Sequence, residues 1–149
     1  MDFLILVIKV IFYFPITLIN LCKLKNHKRI LFLDLDYTLC DNKSLKTSVN
    51  YNPKLYDHEQ DIPLNYDVLK LVESYRDFYV IILSARGIRS ENNTKNWLIR
   101  KNINFPRISV GDPWLKIIPI FYCTFLKKQV ILIDDITIDG QEEHRSKAF

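Results

Sequence analysis

Glycine is scarce in this chain of 149 residues, which contains only three. Loops that cradle phosphates depend on closely spaced glycines, and the sequence has neither a GxGxxG pattern nor a P-loop pattern. Nucleotide binding of those two kinds is therefore disfavoured.

Cysteine is also too sparse to build a framework. Cys22, Cys40 and Cys123 are far apart, no CxxC spacing occurs, and only three histidines are present. We therefore expect neither disulfides nor a zinc site, and a reducing compartment is the simpler interpretation. Cys40 is expected to fill space in a loop rather than to act as a nucleophile.

An excess of positive charge is missing from most of the chain. Residues 1–29 contain five Lys or Arg against one acid, whereas residues 30–149 contain 16 of each sign. A neutral domain of this kind makes nucleic acid an unlikely partner. The length allows one domain with a core plus an appendage, and 48% hydrophobic residues argue against disorder.

A long apolar run opens the chain. Residues 3–22 include only three polar side chains, those of Lys9, Thr17 and Asn20. As a helix this run is about 30 Å long, the thickness of a bilayer core. Residues 1–22 are therefore predicted to be an uncleaved membrane-anchor helix, because no small-residue cleavage site follows.

The basic linker at residues 23–29 sets the expected orientation. Its positive charges place the domain at residues 30–149 on the cytoplasmic side. Lys9 is costly at mid-bilayer and Pro15 would kink the helix. An interfacial helix and a buried helix of a soluble protein therefore remain alternatives to a span.

Residues 30–149 alternate between strand and helix patterns. Strands are predicted at 30–35, 79–83, 107–110 and 129–133, and helices at 64–78, 91–102 and 113–128, the last with a break at Pro119. Residues 39–63 are expected to form a loop or small flap, and the polar tail after residue 135 fits neither a helix nor a strand. The pattern predicts an α/β domain with a parallel sheet and helices on both faces.

Polar residues follow three of the predicted strands. Asp34 and Asp36 end the first, Ser84 follows the second, and the pair Asp134-Asp135 follows the last. In open parallel sheets ligands bind at the carboxyl edge, so these side chains are expected to converge there. Carboxylates kept at such an edge are typical of a Mg²⁺ site.

These motifs, together with Lys116, resemble those of phosphohydrolases of the haloacid dehalogenase superfamily. Asp34-Leu35-Asp36-Tyr37-Thr38 matches the family's DxDxT, and the resemblance covers residues 30–139, about three quarters of the chain. It implies a Rossmann-like fold and a Mg²⁺-dependent phosphatase. With 27 residues between Asp36 and the helix at Leu64, we expect a capless or small-flap site open to bulky substrates.

The resemblance also implies roles for single residues. Asp34 would be the nucleophile that forms an aspartyl-phosphate, and Asp36 would be the general acid and base. Mg²⁺ would be held by Asp34, the Asp36 carbonyl and Asp135, with Asp134 supporting the metal's water or Lys116. The residues expected to bind phosphoryl oxygens are Ser84, Lys116, Thr38 and Arg86.

Several alternatives stay open at this point. On sequence grounds Lys127 and Lys128 are alternatives to Lys116, and a local pair with Glu91 is the alternative to a phosphate contact for Arg86. The substrate can be a phosphorylated small molecule, a lipid-linked phosphate or a macromolecule. A non-catalytic phospho-ligand or partner-binding module, and a nucleic-acid 3′-end phosphatase, are the competing functions.

Overall fold

The apolar run after Arg29 forms the central strand of a five-stranded sheet. In the computed structural model, which describes residues 3–135 and 147–148, the strands are β1 (Arg29–Leu33), β2 (Tyr79–Ser84), β3 (Arg107–Ser109), β4 (Gln129–Asp134) and β5 (Lys147–Ala148). Their order is β3-β2-β1-β4-β5. The first four strands are mutually parallel, and β5 pairs antiparallel to β4. The α/β class and the parallel sheet are therefore as predicted.

Both faces of β1 are buried, which explains its unbroken apolar sequence. Leu31 and Leu33 point into one hydrophobic cluster, and Ile30 and Phe32 point into the other. The first cluster also receives α3 (Tyr66–Glu73) and α4 (Glu91–Arg100). The second receives α5 (Ile117–Phe125) and the first helix of the chain. The result is a sheet between two helical layers.

The first helix, α1 (Phe3–Leu24), packs against the domain. Thr17, Leu21 and Leu24 are buried, and Leu21 and Leu24 belong to the second cluster. The helix also continues two residues into the predicted basic linker. This inward packing corresponds to the alternative in which the helix belongs to the domain.

Tyr13 fastens α1 to the carboxyl side of the sheet. Its hydroxyl oxygen accepts a hydrogen bond from the Ile88 backbone N–H at 3.2 Å, and its ring lies over Gly87 and Gly111. A Cβ at Gly111 would come within 2.2 Å of that ring, and the backbone there has a φ of +73°. Both conditions require glycine at position 111.

The prediction of a membrane anchor depends on the length and apolarity of the helices. Among the described residues, the structure contains no helix that combines the length and apolarity needed to cross a membrane.

Several boundaries differ from the sequence prediction. The segment 39–63 is not a plain loop: it contains α2 (Asn42–Thr47) and a 3₁₀ turn at Asp57–Glu59. Helix α3 ends at Glu73 and α4 at Arg100, earlier than predicted. The polar tail contributes β5, which the sequence pattern did not indicate, because a two-residue strand is too short to show a period.

The predicted break at Pro119 is wrong. A 3₁₀ turn at Pro113–Lys116 leads into α5, and Pro119 lies in the first turn of that helix. A first-turn residue has no intrahelical acceptor for its N–H, so proline costs nothing there. The irregularity therefore falls before Ile117 rather than at the proline.

Candidate active site

The predicted aspartates lie at the point where the strand order reverses. The chain proceeds from β1 outward through β2 and β3, and β4 then returns to the other side of β1. Asp34 directly follows β1, Asp134 is the last residue of β4, and Asp135 comes next. The Asp34 backbone N–H donates to the Ile133 carbonyl at 2.8 Å, which fixes this edge. Such a switch point is the usual ligand site of an open α/β sheet.

Lys116 joins the two strand ends. Its Nζ lies 2.7 Å from Asp34 Oδ1 and 2.9 Å from Asp134 Oδ2. Lys116 lies at the end of the 3₁₀ turn Pro113–Lys116. Asp112 caps the start of this turn, and its Oδ1 accepts a hydrogen bond from the Trp114 N–H at 3.0 Å. The prediction that Lys116 belongs to this edge is therefore consistent with its position.

The alternative lysines lie elsewhere. Lys128 Nζ donates to the carbonyls of Lys25 and His27, at 2.9 and 2.6 Å, before β4 begins. Lys127 is exposed beside it. Both residues precede β4, whereas Asp134 ends that strand, so they occupy the opposite edge of the sheet.

Burial changes the proton affinity of this cluster. It raises the pKa of Asp34 to about 7, with Lys116 acting in the opposite direction and Asp134 adding to the rise. Burial by itself lowers the pKa of Lys116, but the charges of Asp34 and Asp134 outweigh it, so the pKa is raised. The ammonium group therefore stays charged, while two buried carboxylates share it.

A third carboxylate gives the cluster the composition of a cation site. Carboxylate oxygens of Asp34, Asp134 and Asp135 all lie within 4.8 Å of one another. Hard divalent cations such as Mg²⁺ prefer oxygen ligands of this kind. The donor set therefore fits Mg²⁺, and the carboxylate of Asp36 is not part of it.

Asp36 is bound by Arg86 instead. Arg86 Nε donates to Asp36 Oδ2 at 2.9 Å, and Nη2 donates to Oδ1 at 2.5 Å, in a bidentate arrangement. Nη1 donates to Thr94 Oγ1 at 2.9 Å. Burial lowers the pKa of Arg86, but the hydrogen bonds and charge of Asp36 more than compensate and raise it.

The local pairing considered for Arg86 is not observed. Glu91 instead forms a short ion pair with Arg107 and accepts from Ser109 Oγ at 3.2 Å. Thr94, which holds the third nitrogen of Arg86, was not anticipated from the sequence. A threonine on a helix gives no signal by itself, and only the packing of α4 brings it to the site.

The backbone bends sharply between Asp36 and Thr38. Tyr37 has a φ of 61°, and its N–H donates to Asn42 Oδ1 at 2.8 Å. Strand alternation alone would turn Asp36 away from Asp34, so a bend was needed for both to serve one site. The left-handed conformation of Tyr37 comes directly after Asp36 and redirects the chain that follows it, whereas the Asp36 carboxylate itself is held by Arg86.

The remaining predicted phosphate ligands are deeply buried. Ser84 Oγ accepts a hydrogen bond from the Arg86 N–H at 3.1 Å, and the side chain is inaccessible to solvent. Thr38 Oγ1 is buried with no hydrogen-bond partner among the described residues.

Cys40 is fully buried, and burial raises the pKa of its thiol, which suits a space-filling residue.

The chain was compared with known protein families, curated proteins and solved structures. No family, no curated protein and no solved structure matches it.

Proposed function

We propose that the chain is a Mg²⁺-dependent phosphatase of the haloacid dehalogenase type, which hydrolyses phosphomonoesters through an aspartyl-phosphate on Asp34. The observation that carries this proposal is the position of Asp34. It lies at the sheet's switch point, 2.7 Å from Lys116 and within 4.8 Å of two further carboxylates. That arrangement supports the role of nucleophile for Asp34, with Lys116 as the nearby cation and Asp134 and Asp135 as candidate metal ligands.

The metal would be held by Asp34, Asp134 and Asp135, with the Asp36 carbonyl as a further ligand. When bound, Mg²⁺ supplies the positive charge that lets a carboxylate approach an anionic phosphate. Lys116 adds a second positive charge at the same edge. Its charged state is favoured by its raised pKa, so it can bind phosphoryl oxygens throughout the reaction.

Two displacements complete the proposed reaction. An Asp34 oxygen forms a bond to phosphorus while the ester bond to the leaving oxygen breaks, and Asp36 gives that oxygen a proton. Water then attacks the aspartyl-phosphate, Asp36 accepts its proton, and phosphate leaves with Asp34 regenerated. Arg86 binds both carboxylate oxygens of Asp36, so proton transfer by Asp36 requires this pairing to loosen.

We propose a class of substrate rather than a single compound. The segment between Asp36 and α3 has no large helical cap, and an open site suits bulky phosphomonoesters or lipid-linked phosphates. The cytoplasmic placement and the membrane anchor expected from the sequence stay predictions.

Replacement of the nucleophile tests the mechanism. We expect Asp34→Asn to abolish Mg²⁺-dependent phosphate release from an aryl phosphate, while Asp61→Asn, a change at an exposed carboxylate, retains it. Phosphate is measured colorimetrically, and thermal unfolding of both variants establishes that they fold. Equal release by Asp34→Asn and the native chain would contradict the mechanism. Mg²⁺ binding without turnover on sugar, nucleotide and lipid phosphates would instead identify a binding module.

A further inference from the structure

Helices α1 and α5 expose an unusually large number of apolar side chains on one side of the molecule. On α1 several large hydrophobic residues are between 42% and 69% exposed, and those around α5 reach 75%. Soluble proteins rarely expose contiguous patches of this kind without a use for them. The α1–α5 face is defined by Ile8, Ile11, Phe12, Phe14, Leu18, Ile19, Trp114, Ile117, Phe121 and Phe125.

On α1 the exposed residues share one side of the helix. With 3.6 residues per turn, the six exposed apolar residues of α1 fall within an arc of about 160°. Thr17, Leu21 and Leu24 lie outside this arc and are buried in the domain. Helix α1 therefore has one apolar side that is covered by the domain and a second apolar side that is exposed.

The exposed side of α1 continues onto α5. Phe14 and Leu18 line an apolar groove together with Ile117, Phe121 and Phe125 of α5. The α5 residues repeat every four positions, so they form a single stripe along that helix. Two helices thus contribute to one continuous surface.

Positive charge borders this surface, and negative charge is missing from its elements. Residues 3–33 and 113–133 contain no aspartate or glutamate. Exposed Lys25, Lys28 and Lys127 follow the carboxyl-terminal ends of α1 and α5. Exposed tryptophan and phenylalanine beside lysine are typical of helices that lie in the interface of an anionic bilayer.

We propose that the α1–α5 face docks onto the surface of an anionic lipid bilayer, with both helices lying in the interface and the domain remaining outside. A second copy of the chain is a poorer occupant, because the elements of this face contain no aspartate or glutamate to meet these lysines, whereas an anionic bilayer supplies negative charge. Trp114 belongs to the same turn as Lys116, so docking places the candidate active site beside the membrane. The proposal does not depend on the phosphatase chemistry.

Vesicle flotation of the full chain, synthesised without cells in the presence of liposomes, tests the docking. We expect recovery with phosphatidylserine-containing vesicles and about tenfold lower recovery of the double variant Phe121→Glu/Phe125→Glu. The matched control is Ile99→Glu, at a residue 64% exposed on α4 in the opposite layer, and it should float like the native chain. Equal flotation of the α5 double variant would overturn the proposal, since an anchor formed by residues 3–22 alone predicts that result.

Two further readouts separate the lipid surface from other occupants. Cys22 is exposed on the outward arc of α1, so anionic vesicles should slow its alkylation by a water-soluble maleimide, as followed by mass spectrometry. Lys25→Glu/Lys127→Glu should weaken binding to anionic vesicles, whereas Lys43→Glu, in α2, should not. Unchanged alkylation of Cys22, or a stable dimer in sedimentation that does not bind vesicles, would overturn the proposal.

Discussion

At the scale of single residues, Arg86 decides how Asp36 is presented. The guanidinium binds both Asp36 oxygens and is itself held by Thr94, so three of its nitrogens are engaged within the protein. A bidentate pair of this kind fixes the orientation of the carboxylate. We therefore propose a positioning role for Arg86 as an alternative to the phosphate contact expected from the sequence, which stays a prediction.

Kinetics of Arg86→Lys distinguish the two roles. Lysine cannot reproduce the planar fork, so we expect kcat to fall about tenfold while KM for the phosphate ester changes little. The control is Arg89→Lys, at an exposed arginine three residues later. A rise in KM with unchanged kcat would show instead that Arg86 binds the phosphoryl group.

At the scale of elements, the segment 39–63 is tied to the domain at several points. Trp97 Nε1 on α4 donates to the Ile62 carbonyl at 2.7 Å, and Asn42 Nδ2 donates to Asp57 Oδ2 at 3.0 Å within the segment. The Leu39 carbonyl accepts from the Asn65 N–H at 2.9 Å. These hydrogen bonds hold the segment 39–63 in a fixed position next to Asp36.

Substitution of the two tryptophans tests how firmly the segment 39–63 is held. Trp97→Phe removes the donor to a buried carbonyl, so we expect the free energy of unfolding to fall by about 1–3 kcal/mol. Trp114→Phe, at a side chain that is 75% exposed, should change it by less than about 0.5 kcal/mol. Urea unfolding measures both. Equal effects of the two substitutions would mean that the Trp97 contact does not hold the segment. In limited proteolysis we expect Trp97→Phe to be cleaved faster than Trp114→Phe between residues 39 and 63.

At the scale of the whole molecule, α1 completes one of the two hydrophobic clusters. Leu24 is fully buried and contacts the layer formed by β1, β2 and α5, in a cluster that contains Phe32 and Ile81. If α1 left the domain, that layer would be exposed to water. The helix therefore contributes to the stability of the fold, whatever lies on its outer side.

Alanine substitutions on the two sides of α1 should lower the free energy of unfolding by different amounts. We expect Leu24→Ala to lower the free energy of unfolding by about 2–5 kcal/mol, because it opens a cavity in a packed layer. Leu18→Ala, at a residue that is 42% exposed, should cost less than about 1 kcal/mol. Chemical denaturation gives both values. If Leu24→Ala proved as mild as Leu18→Ala, α1 would not be packed on the domain in solution.

Local patterns in the sequence predict the four parallel strands and the edge of the sheet at which the acidic residues lie. Period and composition are local properties, so the four parallel strands were predicted to within two residues at each end. The topology rules for parallel strands then place Asp34, Ser84 and Asp134 at one edge. The resemblance to a phosphatase family added roles for these residues, which stay predictions.

Which side chains bind one another depends on how elements distant in the chain pack together. Asp36 and Arg86 are 50 residues apart, and Arg86 is also held by Thr94, which the packing of α4 brings to this edge of the sheet. Likewise, an apolar run looks the same whether it faces lipid or protein, so the sequence left three settings for residues 3–22. The buried inner side of α1 and its exposed outer side are set by packing between elements distant in the chain, which no local pattern encodes.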